Sequence, residues 1–185
     1  WTTGLDTKGR PIPSSVARYD MKSVLVSPSG WGGHNWHPMS YSPKTGLVYF
    51  PVSENAQAFA RDPDFVPQKG RLPNVGVNYL SRNDDSSRFA DKIKSESKAW
   101  LVAWDPVQQK ERWRVEYPLS GSGGVLSTSG GLVFEGTIGS TFAAYRDFDG
   151  KKLWEMPVQQ VPMAAPITYM LDGVQYIAVN AGWGG

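Results

Sequence analysis

An eleven-residue pattern occurs twice in this chain, starting at Ala103 and at Ala144, 41 residues apart. The first copy reads AWDPVQQKERW and ends at Trp113; the second reads AYRDFDGKKLW and ends at Trp154. Both open on Ala followed by an aromatic, pass through a polar turn, and place a Trp ten residues after the Ala. A period of about 40 to 50 residues with a Trp at a fixed place points to a radially repeated β architecture. A blade of such an object cannot bury both faces alone, so its stability comes from its neighbours. The Ala lets a strand approach the next sheet closely. The Trp is expected to lie flat between sheets, with its indole N–H satisfied there.

The rest of the chain supports an all-β, antiparallel reading. The 20 Gly, 14 Pro and 8 Trp supply many turns and many large flat side chains. From Ala99 onward, alternating runs are separated by polar turns or Gly pairs. AAPITYMLDGVQYIAVNAG contains a hairpin closed at Asp172-Gly173, the strongest short hairpin signal in the chain. SYSPKTGLVYF reads as strand, turn and strand, with Pro43 presetting φ and Gly46 supplying a positive one. Residues 53–98 differ. They carry Pro63, Pro67 and Pro73, many charges and little alternation, and read as a long loop excursion with a turn or two of helix between Ser86 and Lys98.

Charge and cysteine content exclude several classes. A net charge of +2 leaves no electrostatic footprint for nucleic acid. With no Cys, these residues hold neither a disulfide framework nor a Cys-based metal site. No apolar run reaches the ~18 to 20 residues of a membrane span. The opening WTTGLDTKGRPIP has no signal-peptide character. It reads as the middle of a fold, and the closing GVQYIAVNAGWGG stops just after a strand. The expectation is a piece of a longer protein.

The Ala…Gly-Lys-x-x-Trp pattern, complete in the second copy and carrying Gln109 for the Gly in the first, resembles the tryptophan-docking motif of quinoprotein alcohol dehydrogenases. SGWGGHNWHPMSYSPKTGLVYFPV (29–52) is similar to that family's cofactor-side loop and the strands after it. LVAWDPVQQKERW, GGLVFEGTIGSTFAAYRDFDGKKLWE and VPMAAPITYMLDGVQYIAVNAGWGG resemble its later blades, nearest to the soluble ethanol and quinohaemoprotein branch. The resemblance implies several four-stranded antiparallel blades of an eight-bladed β-propeller over residues 1–185, incomplete in this chain. It implies pyrroloquinoline quinone (PQQ) as cofactor, with Asn35 and Trp36 hydrogen-bonding its edge. Ala181, Gly182 and Trp183 match a second segment beside it, against the alternative that Trp36 and Trp183 merely pack between blades. PQQ is a planar quinone bearing carboxylates, and it needs N–H donors at its edge and apolar walls at its faces. An amide and an indole N–H suit that edge.

The same resemblance implies a general-base Asp, a Ca2+ acting as Lewis acid, a vicinal disulfide and a quinone-contacting Lys. None of these matches a motif here, so the catalytic Asp and the Ca2+ ligands are expected upstream or elsewhere, and this chain alone is expected to be inactive. Its partners would be the remainder of the propeller, an alcohol, and an electron acceptor such as a cytochrome c; the implied location is the periplasm. His34 and His37 lack a nearby carboxylate or Cys and read as packing or hydrogen-bonding residues rather than metal ligands. Glu135 reads as a solvated or paired edge carboxylate. Where the family places Trp-Asn before Gly-Gly, this chain has Gly121-Ser122, which implies a more open substrate pocket. The competing reading is a non-catalytic propeller that serves as a protein-binding scaffold. A WD-type propeller lacks its Gly-His and Trp-Asp pairing here.

Overall fold

The computed structural model describes every residue except 71–73, 79–88, 119–120 and 183–185. Its elements in chain order are β1 (Thr2–Leu5), β2 (Pro11–Pro13), β3 (Val24–Val26), β4 (Ser40–Ser42), β5 (Leu47–Glu54), β6 (Gln57–Arg61), β7 (Val77–Asn78), α1 (Ala90–Glu96), β8 (Lys98–Asp105), β9 (Lys110–Tyr117), β10 (Ser122–Thr128), β11 (Leu132–Thr137), β12 (Thr141–Arg146), β13 (Lys152–Pro157), β14 (Ile167–Leu171) and β15 (Val174–Ala178). They fall into two compact units. One comprises Trp1–Gly32 with Glu54–Ser97, the other Gly33–Ser53 with Lys98–Gly185.

In the first unit β1 and β2 form a hairpin, and β3, β6 and β7 form a three-stranded sheet. The Asp6 carboxylate closes the β1–β2 turn by accepting the N–H groups of Lys8 and Arg10 at 2.8 and 2.9 Å. The stretch between β5 and β8 thus carries two strands of its own and, at its end, the two-turn helix α1.

The second unit holds two four-stranded antiparallel sheets, ordered β4-β5-β8-β9 and β10-β11-β12-β13, and the hairpin β14-β15. These are the blades that the repeat predicts. In both copies the Ala pairs directly with its Trp across the hairpin, Ala103 with Trp113 and Ala144 with Trp154, and a register shift follows each Ala. The turns share one backbone shape as well. Gln109 has φ 53° where the second copy's Gly150 has φ 72°. The missing Gly of the first copy is therefore a change of residue and not of conformation, since a non-Gly residue there accepts the left-handed region at some cost.

The core of this unit lies between the two four-stranded sheets. Leu47, Tyr49, Leu101, Ala103 and Trp113 come from one side; Val125, Val133, Ala143 and Tyr145 come from the other. Trp113 docks as the repeat predicts. Its indole Nε1–H donates to the Asp147 carbonyl at 3.0 Å, and that oxygen also accepts the Tyr49 hydroxyl at 2.9 Å. Gly150 lies against the indole so closely that a Cβ there would sit 2.6 Å from Trp113 Cε3. Trp154, the equivalent residue of the second copy, remains 46% exposed, its ring edge-on to Phe142 at 6.2 Å.

Candidate functional site

The loop 33–38 leads into β4 and is fastened on two sides. At its start the Gly33 carbonyl accepts the Ser53 N–H at 2.8 Å. His34 Nδ1 lies 2.7 Å from the Pro51 carbonyl, an oxygen that can only accept, so this nitrogen carries the hydrogen. The His34 ring also meets Phe50 edge-on at 5.6 Å. At its end the Pro38 carbonyl accepts the Val125 N–H from β10 at 3.0 Å. Ser40 Oγ continues that junction, accepting the Ser127 N–H at 2.8 Å. Between the two anchorages Asn35 and Trp36 are exposed, Trp36 by 55%.

Small residues bring three more segments against this loop. A Cβ on Gly124 would lie 2.8 Å from both Pro38 Cδ and Ala165 Cβ. One on Gly123 would lie 2.1 Å from the Pro162 carbonyl, and one on Gly136 would lie 2.5 Å from Pro162 Cβ. Neither position can carry a side chain while Pro162 stays where it is. Pro162 in turn forms an isolated parallel bridge with Gly182, whose N–H donates to the Val161 carbonyl at 3.1 Å. One continuous cluster therefore runs from Pro38 through Gly123 and Gly124 to Pro162 and Gly182, joining the two segments singled out in the sequence. Trp183 lies outside the described residues. Ala181 lines an apolar cavity of about 550 Å³ with Phe134, Trp154, Met156 and Ile177 among its other walls.

His37 stacks on Trp36, with ring centroids 4.3 Å apart and planes inclined by 25°. Burial, then the neighbouring His34, lower the His37 pKa below its ordinary value. Its Nε2 is buried and has no hydrogen-bond partner among the described residues.

One sequence reading changes. Glu135 is neither solvated nor at an edge: it is fully buried on β11, a central strand, and accepts the Tyr117 hydroxyl. Nothing in its local sequence signals this, because Tyr117 reaches it from the other four-stranded sheet. Gly121 has φ 118°, and a Cβ there would lie 2.9 Å from Ile138 Cδ1. Its positive φ favours glycine, and Ile138 packs against it. Refilling it with Trp would strain the chain before it narrowed any pocket.

The fit of this arrangement to a PQQ edge rests on its donors. Asn35 carries an amide and Trp36 an indole N–H on a loop pinned at both ends. Among the described residues, no group of three His, Asp or Glu gathers as metal ligands would.

Residues 89–177 match the family described as PQQ glucose/ethanol/alcohol dehydrogenase, beta-propeller domain. The whole chain is 42% identical to quinohemoprotein alcohol dehydrogenase ADH-IIG of Pseudomonas putida and covers 26% of it. It is 38% identical to the 1-butanol dehydrogenase (cytochrome c) of Thauera butanivorans, again over 100% of the chain and 27% of that protein. The solved quinohemoprotein alcohol dehydrogenase of Comamonas testosteroni superposes with a TM-score of 0.78 at 37% identity, over 99% of this chain and 27% of that one. The chain thus spans about a quarter of the length of the relatives it matches. With the docked Trp113, the paired Ala–Trp hairpins and the two four-stranded sheets, the stretch 89–177 belongs to the β-propeller domain family of PQQ glucose, ethanol and alcohol dehydrogenases.

Proposed function

We propose that this chain is part of a quinoprotein that oxidises a primary or secondary alcohol to an aldehyde or ketone, and that it supplies cofactor-edge contacts and propeller scaffold. The observation that carries the reading is the loop 33–38, pinned to β5 and β10, with Asn35 and Trp36 exposed between its anchors. Such a loop fixes donor positions in advance, which is what orienting a flat polar ligand requires. The Asn35 amide and the Trp36 N–H would hold PQQ at its edge. Gly182, joined to the same cluster through Pro162, would bring backbone beside it, with Ala181 and Trp183 as its chain neighbours. Bound PQQ supplies the ortho-quinone that takes up the two electrons of alcohol oxidation. The general-base Asp and the ligands of a Ca2+ ion belong, on this reading, to the rest of the polypeptide. A cytochrome c as electron acceptor and a periplasmic location complete the proposal; both rest on family resemblance, the first also on the name of the butanol-oxidising relative.

The test is a titration of the longer polypeptide with PQQ in the presence of Ca2+, followed by dye-linked alcohol oxidation. Asn35→Ala and Trp36→Ala are each expected to weaken PQQ binding by about ten- to a hundredfold, the range for losing a hydrogen bond in a desolvated site. Residues 1–185 alone are expected to show no turnover. Wild-type polypeptide that neither binds PQQ nor oxidises alcohols would favour the non-catalytic scaffold instead.

A further inference from the structure

The loop that carries Asn35 and Trp36 contains a third residue whose placement needs an account. His37 sits between the exposed Trp36 and the anchored Pro38, half-buried, with its ring flat against the indole at 4.3 Å. Nothing hydrogen-bonds its buried Nε2 among the described residues, so polar contacts through that atom do not explain its position. What the ring does in this structure is cover one face of Trp36. The indole still has 55% of its surface exposed, so the coverage leaves room for a ligand.

Resting on the functional reading above, we propose that His37 is a positioning residue: it backs one face of the Trp36 indole and so holds the other face and the N–H ready for the quinone. An exposed Trp on a loop otherwise samples several rotamers, and binding must then select one of them. The Pro38 carbonyl, tied to Val125, fixes the backbone immediately after His37. The imidazole is thus set on the anchored part of the loop, and the indole rests on it. A flat ring is what the role demands. Phe should serve in its place, while Ala should not.

The experiment uses the longer polypeptide that contains residues 1–185, titrated with PQQ and followed by quenching of tryptophan fluorescence. His37→Ala is expected to raise the Kd about three- to tenfold, the range for losing one aromatic stack. His37→Phe is expected to stay within about twofold of wild type. The decisive readout is the double-mutant cycle with Trp36→Ala: in that background His37→Ala should have no further effect, because its influence passes through the indole. A merely structural role would weaken binding equally in both backgrounds and would overturn the proposal. Wild-type affinity in His37→Ala would overturn it too, while leaving the functional reading intact. Failure of the wild-type polypeptide to bind PQQ would remove both.

Discussion

Trp113→Ala is expected to destabilise the second unit by about 3–5 kcal/mol, the range for removing a buried Trp. The indole is 9% exposed and fills the space between the two four-stranded sheets, against Tyr49 at 5.6 Å and the bare backbone of Gly150. Its truncation leaves a cavity that the neighbouring strands cannot close without breaking their own ladders. Trp113→Phe should cost less, because the Asp147 carbonyl keeps the Tyr49 hydroxyl as a donor. Gly150→Ala should approach the same damage from the other side, at about 1–3 kcal/mol. It would push a methyl toward Cε3 and strain a φ of 72°. Trp154→Ala in the same 185-residue chain should cost only about 1 kcal/mol, since that ring is 46% exposed. Urea denaturation followed by circular dichroism gives all four values. Equal losses for Trp113→Ala and Trp154→Ala would show that the repeat is not a docking device.

That contrast also shows how far the sequence could be read. The Ala–Trp spacing contained the pairing of Ala103 with Trp113 and of Ala144 with Trp154, because both residues belong to one local hairpin. Asp172-Gly173 likewise announced its turn, and both residues have positive φ. That residues 33–38 form a loop was legible through their Gly- and aromatic-rich residue types. What could not be read was set by contacts between distant segments. Identical spacing buries one Trp and leaves the other half exposed. A carboxylate on a strand gives no sign of the tyrosine that reaches it from another sheet. Gly121 reads as a deleted side chain, but its φ of 118° shows a backbone that needs glycine. Gly123 and Gly124 read as a Gly pair between strands, yet the first makes room for Pro162 and the second for Pro38 and Ala165. His37 reads as one of a histidine pair, and only the folded loop lays it against Trp36.

Alkaline pH should expose the buried polar cluster beneath these sheets. Tyr117 donates to Glu135, and Tyr145 shares a hydrogen bond with Tyr117 in the same cluster. Burial pushes the Tyr145 hydroxyl up to about 12; the Tyr117 hydrogen bond works against that rise, and the Glu135 and Glu155 carboxylates add to it. Burial, followed by the charge of Glu135, moves Tyr117 well above its ordinary value as well. A phenol is neutral when protonated, so a raised folded pKa means that the folded state holds the proton more tightly than the unfolded one. The stabilisation is complete below the unfolded pKa of about 10 and is lost as pH rises from there through the folded value. For Tyr145 the loss approaches about 2–3 kcal/mol across that window, at 1.36 kcal/mol for each pKa unit. Tyr145→Phe has no proton to lose at this site. Its stability should therefore fall less steeply than wild type between about pH 10 and 12, although it starts lower for want of the Tyr117 hydrogen bond. Lysine and arginine titrations are common to both proteins and cancel in the difference. Urea midpoints measured at pH 8, 10 and 11.5 give the two slopes, and parallel curves would mean that Tyr145 carries no excess proton affinity in the fold.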